Sequence, residues 1–123
     1  MMRLGTDLIE INRIQHAIER SERFHKRVYT SQEIAYCESK HKGMYQSYAG
    51  IYAAKEAFLK ALGTGLRYGS WQDIEVGHTD LGAPKLYITG PFREILDSQG
   101  LSKIIISISH CKDYAMSTVI LKG

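Results

Sequence analysis

Asp7, Glu56 and Lys60 are the charged side chains of this sequence best placed by type and setting to do chemistry. Glu56 and Lys60 lie in YAAKEAFLKALGTG, residues 52–65, an otherwise apolar stretch rich in Ala and Leu and closed by glycine. On a helix Tyr52, Glu56, Leu59, Lys60 and Gly63 share one face, and Ile51, Ala54, Phe58 and Leu62 share the opposite one. Both faces carry large apolar groups, so the helix is expected to be central, and a partly buried carboxylate on it needs a cation or hydrogen-bond donors. Two readings stand. Glu56 and Lys60 form an ordinary i, i+4 pair worth about 0.2–0.5 kcal/mol, or Glu56 is half of a metal site. Asp7, in GTDLIE, offers the same choice: an N-cap where a strand enters a helix, or the second carboxylate. Two carboxylates in close proximity repel unless a cation lies between them. Oxygen ligation by so few side chains suits Mg²⁺, or Mn²⁺ in its place, with waters and phosphate oxygens completing the shell. Lys60 would then neutralise phosphate charge. Gly63-Thr64-Gly65 would let backbone approach an anion closely, although its spacing is not that of a Walker A loop.

Two further features invite a function. His110 ends IIISISH, where Ser107 and Ser109 alternate with isoleucines; it is either a surface residue at a strand end or part of a site. No zinc spacing and no GxSxG elbow occurs. Arg13 and Arg20 fall on the helix face opposite Ile11, Ile14 and Ile18, and Arg23 and Arg27 follow around Phe24. The Arg13–Arg20 face lacks balancing acids at i+4. Apart from a plain solvated face, such a surface suits an acidic amphipathic helix or single-stranded RNA. A Mg²⁺-dependent nucleotide hydrolase and a non-catalytic binding module are therefore both open readings.

The elements that must position these residues follow from pattern. Strand 3–8 precedes a helix over about 10–20. Thr30 and Glu33 form a capping box for a helix to about 38. The central helix spans about 45–62 and ends on Gly63 in a left-handed cap. Residues 71–77 and 85–89 make a hairpin, Pro91 starts a short helix to about 98, and KIIISISH with YAMSTVIL makes a second hairpin. The order fits an α+β domain with antiparallel strands and a single domain over residues 1–123. A 44% apolar and 24% charged composition is globular, and a net charge of +3 mildly favours an anionic partner. No apolar run reaches the length of a membrane span, and Cys37 and Cys111 are too few for a disulfide framework, which points to the cytoplasm.

GTDLIEINRI at 5–14, YAAKEAFLKALGTGL at 52–66, WQDIEV at 71–76 and SISH at 107–110, in this order, closely resemble the holo-acyl-carrier-protein synthases, the short phosphopantetheinyl transferases. The resemblance covers essentially the whole chain. It implies transfer of 4′-phosphopantetheine from coenzyme A to a serine of apo acyl carrier protein, with release of adenosine 3′,5′-bisphosphate. It further implies a cytoplasmic homotrimer with sites between subunits and no nucleic-acid or membrane partner. By motif, Asp7 and Glu56 are the implied Mg²⁺ ligands, Lys60 the lysine beside the transferring phosphate, and Gly63, Thr64, Gly65 and His110 coenzyme contacts. Arg13, Arg20, Phe24 and Arg27 are the implied docking surface for the carrier protein. Many members of the family have an arginine where this chain has Ile51, so a coenzyme phosphate contact is either missing or supplied by another residue, such as Lys42 or Lys55.

Overall fold

The computed structural model describes residues 1–123. β1 (Met2–Glu10) leads into α1 (Ile11–Arg20), α2 (Glu22–Val28), α3 (Ser31–Glu38) and the long α4 (Met44–Leu62). The hairpin β2 (Ile74–His78) and β3 (Pro84–Ile88), α5 (Gly90–Ser98), β4 (Lys103–His110) and β5 (Tyr114–Lys122) follow. Short 3-10 turns occupy 41–43, 65–68 and 71–73. The expected antiparallel arrangement is present but divided. β5 is the centre of a three-stranded sheet, flanked by β1 and β4, while β2 and β3 pair only with each other.

The local signals explain most boundaries. Thr30 Oγ1 accepts from Glu33 N at 3.2 Å, and Thr30 N donates to Glu33 Oε1 at 2.9 Å, so the capping box forms. α4 ends on Gly63, which takes φ 84°, a conformation that costs a glycine little. Pro91 stands at the start of α5, where its missing N–H is not needed. Two segments differ from the pattern: one adds a helix that the expected elements do not include, and one shortens the expected hairpin. The segment around Phe24 is a helix, α2, capped by Ser21, whose hydroxyl accepts from Phe24 N at 3.0 Å. Residues 71–73 do not begin a strand; Ser70 and Asp73 form a second capping box that holds them in a 3-10 turn.

α4 lies across the inner face of the three-stranded sheet. Tyr48, Ile51, Ala54, Phe58 and Leu62 of α4 are buried, together with Ala115, Val119 and Leu121 of β5. α1 adds Ile11 and Ile14, and α5 adds Phe92 and Leu96. Gly5 makes the closest helix–strand approach: a Cβ there would stand 2.0 Å from Ala57 O and 2.5 Å from Ala61 N. The opposite face of the sheet is uncovered and largely apolar. Leu4 and Leu8 of β1, Ile105 of β4 and Met116 of β5 are exposed there.

Candidate active site

The site grows out of the contact between β1 and α4. Alternate residues Arg3, Gly5 and Asp7 of β1 point inward, as the two-residue period of a strand requires. Arg3 Nη1 donates to Leu62 O at 2.9 Å, at the C-terminal end of α4. Gly5 meets Ala57 and Ala61, and Asp7 meets Lys60, whose Nζ donates to Asp7 Oδ1 at 3.0 Å and Thr6 O at 3.2 Å. Asp7 lies inside β1, and the N-cap of α1 is Glu10 with no side-chain bond, so the capping role for Asp7 is excluded.

Glu56 is half-buried and has no hydrogen-bond or ion-pair partner in the chain; Lys60 pairs across to β1 and not along the helix. Burial and then the nearby Asp7 charge push the Glu56 carboxyl above the ordinary carboxylate range, and Lys60 only partly offsets them. Tyr52, one turn earlier, is pushed up by burial and by Glu56 and Asp7, with Arg13 of α1 pulling the other way. Two carboxylates, one amine and one guanidinium thus share a small region of field. No group of three His, Cys, Asp or Glu side chains gathers anywhere in the chain. A half-buried carboxylate without a partner beside a second carboxylate is nevertheless a fitting donor pair for a hard divalent cation that keeps most of its waters.

Arg13, Arg20 and Arg27 are exposed and make no ion pair. Phe24 of α2 is half-buried and stacks on Tyr52, with ring centroids 6.4 Å apart and planes at 21°. The basic face therefore adjoins the carboxylate region through Phe24, Tyr52 and Arg13.

His110 stands apart from that region. It lines a cleft of about 260 Å³ with Ile51 and Gly50 of α4, Tyr36 of α3 and His78 of β2. His78 stacks on Tyr36 at 3.9 Å between centroids and 11° between planes. Sequence reasoning missed both residues, because only the folding of the β2–β3 hairpin onto α3 brings them to His110. Thr64 lines a different, open groove with Tyr68 and Pro91, and its hydroxyl donates to Gly65 O at 2.8 Å. Gly63 and Gly65 both take positive φ. Lys42 is exposed in the 41–43 turn. Lys55 departs from expectation: it is 0% exposed, and its amine is spent on Val28 O, Glu33 and Trp71 O. A lysine so enclosed does not reach a coenzyme phosphate.

Comparison with known proteins adds to this geometry. A family model of the 4′-phosphopantetheinyl transferase superfamily matches residues 3–119. A holo-[acyl-carrier-protein] synthase of Ruminiclostridium cellulolyticum is 45% identical over 122 residues, 98% of this chain and 91% of that protein. One of Moorella thermoacetica is 39% identical over 123 residues, covering 100% of this chain and 95% of that protein. Among solved structures, the holo-[acyl-carrier-protein] synthase of Neisseria meningitidis superposes with a TM-score of 0.88 at 31% identity, covering 98% of both chains. That of Helicobacter pylori, in complex with coenzyme A, gives 0.84 at 30% identity, covering 97% of this chain and 99% of the other.

Proposed function

Because this chain belongs to the holo-[acyl-carrier-protein] synthases of the 4′-phosphopantetheinyl transferase superfamily, we propose that it modifies an apo acyl carrier protein with the phosphopantetheine arm of coenzyme A. The observation that carries this reading is the unpartnered Glu56 carboxylate beside Asp7, with Lys60 one helical turn further along α4 and bonded to Asp7. Asp7 and Glu56 would hold Mg²⁺ or Mn²⁺, which when bound supplies Lewis-acid charge to the pyrophosphate of the coenzyme.

The chain's own residues do the remaining work. Lys60, 54% exposed at its side chain, has the freedom to move from Asp7 to a phosphate oxygen. Glu56 takes the proton of the attacking serine, being the unpartnered carboxylate next to the docking face. The serine oxygen forms a bond to the phosphorus that carries pantetheine, and the bond from that phosphorus to the bridging oxygen breaks. Adenosine 3′,5′-bisphosphate leaves with the bond's electron pair. Catalysis of this kind is mostly positioning and charge stabilisation. Gly63, Thr64, Gly65 and His110 contribute to coenzyme binding, and the acidic carrier protein docks on Arg13, Arg20, Phe24 and Arg27.

We also propose a cytoplasmic homotrimer with coenzyme pockets completed by a neighbouring subunit, in which the uncovered apolar sheet face would be covered. In register, Leu4–Ile120–Ile105 and Leu8–Met116–Ser109 flank a hydroxyl row, Thr6–Thr118–Ser107. Asp7 and Glu56 come from one subunit and part of the docking face from the next.

The test is mass spectrometry of an apo carrier protein incubated with this protein, coenzyme A and Mg²⁺. The carrier protein gains one phosphopantetheine, a chelator stops the reaction, and Glu56→Gln binds carrier protein without turning it over. Coenzyme hydrolysis without a mass shift on the carrier protein would refute the assignment.

A further inference from the structure

Lys55 is the only lysine buried in the core. Its amine donates to Val28 O at 2.6 Å, to Glu33 Oε1 at 2.8 Å and to Trp71 O at 3.1 Å, so all three N–H groups are used. Glu33 also accepts from Thr30 N at 2.9 Å and from Val76 N at 2.7 Å. Both side chains of the pair are 0% exposed. Burial pushes the Glu33 carboxyl up and the Lys55 amine down, in each case against the pull of the partner. Desolvation thus cancels much of the attraction, and a buried pair of this kind contributes little net stability over an apolar one.

Its contribution is geometric. Val28 is the last residue of α2, the helix that carries Phe24 and Arg27, and Lys55 is the neighbour of Glu56 on α4. The carbonyls at the end of a helix lack partners within it. Here Lys55 takes that of Val28, while Gln72 Nε2 donates to Lys26 O at 2.7 Å and Tyr29 O at 3.2 Å. The lysine also places positive charge at the negative end of the α2 dipole. A second contact lies one turn along α4, where Tyr52 packs between Phe24 and Trp71, 6.4 and 5.4 Å away by ring centroids.

We infer that Lys55 and Glu33, with Gln72, form a strut that fixes α2 against the Glu56 turn of α4. The strut sets how far a protein docked on α2 holds its acceptor hydroxyl from the two carboxylates. Lys55 is a positioning residue: it touches neither coenzyme nor acceptor and acts through α2. The inference rests on the docking role proposed above for α2.

Two variants test it. Lys55→Met with Glu33→Gln leaves no lone buried charge and keeps an acceptor for Val76 N. Gln72→Ala removes an exposed side chain and its bonds to Lys26 O and Tyr29 O. The readouts are hydrogen exchange of α2 amides, and kcat and KM for carrier protein and for coenzyme A, each with and without Arg27→Glu. In the double variant, α2 amides lose protection while those of α4 keep it. The kcat/KM for carrier protein falls on the order of tenfold to a hundredfold, as a displacement near 1 Å would cause, and the KM for coenzyme A stays at its wild-type value. Gln72→Ala gives a smaller loss of the same kind. Adding Arg27→Glu costs less in these variants than in the wild type, since a displaced α2 has less docking to lose. Unchanged carrier kinetics in folded variants, or losses fully additive with Arg27→Glu, overturn the strut. If the double variant does not fold, Gln72→Ala decides alone. Wild-type protein that leaves carrier protein unmodified refutes the function itself, a result distinct from failure of the strut.

Discussion

Gly5→Ala should disable the site without touching any of its charged groups. The added methyl would start 2.0 Å from Ala57 O and 2.5 Å from Ala61 N, both backbone atoms of α4 that no rotamer change can move. Restoring even a tight 3.0 Å contact requires β1 and α4 to part by about 1 Å, from the 2.0 Å starting distance. Overpacking of this kind costs about 1–3 kcal/mol, and a chain of 123 residues loses about 4 °C of melting temperature per kcal/mol. The expected drop is therefore about 4–12 °C. The effect on turnover is larger in proportion. Asp7 rides on β1 and Glu56 on α4, so the same separation pulls the two carboxylates apart, and a misplacement of that size costs about a hundredfold in rate. Calorimetry and mass-spectrometric transfer assays on one preparation measure both quantities, with Mg²⁺ varied so that weaker binding at the proposed metal site shows as a titration shifted to higher Mg²⁺. Wild-type melting and turnover in Gly5→Ala would mean that the close packing of β1 on α4 does not set the distance between Asp7 and Glu56.

Three further outcomes are expected. Arg13→Glu and Arg20→Glu raise the KM for carrier protein about two- to fivefold each, as exposed ion pairs do, and flatten its dependence on salt in steady-state assays. Burial pushes the Cys37 thiol up to about 12, whereas Cys111 is exposed, so a thiol reagent at pH 8 labels one cysteine per folded chain, and peptide mapping finds it at Cys111. Met116→Asp puts a carboxylate in the middle of the uncovered sheet face; light scattering then shows a monomer with little transfer activity, while a variant trimer of full activity would remove that face from the assembly.

The sequence carried its local signals well. The Thr30–Glu33 capping box, the Gly63 cap and the Pro91 helix start each involve residues within a turn of one another, and each formed where expected. Relations between distant segments were read less well. Ser21 gave no apolar period to announce α2, because that helix has only seven residues and is held at its far end by Lys55 and Gln72. Lys55 itself was expected at a coenzyme phosphate, in place of the arginine absent at Ile51. Its burial depends on Glu33, 22 positions away, and no periodicity encodes that. His78 and Tyr36 were silent for the same reason: the stack that sets them beside His110 joins α3 to a hairpin forty residues later.

The spacings that were legible at the carboxylates have a geometric cause. Two residues of strand advance about 6.6 Å, and four residues of helix advance about 6 Å. Residues two apart on β1 therefore stay in step with residues four apart on α4 when the two pack together. Arg3 bonds Leu62 O, Gly5 sits against Ala57 and Ala61, and Asp7 bonds Lys60 and raises the Glu56 carboxyl by its charge. The motif GTD and the motif KEAxxK are two sides of that one contact, with a glycine to permit the approach and an acid from each side. A slip of one residue in the pairing of β1 with β5 would turn Asp7 to the outer face and Leu8 to the inner one, and leave Glu56 with neither its companion carboxylate nor the Lys60 bridge. The close packing of β1 on α4 forbids that slip, since it would bring a residue with a side chain, Leu4 or Thr6, to the place where only Gly5 fits against Ala57 and Ala61. The packing that stabilises the fold is thus the same packing that holds the two acids in register.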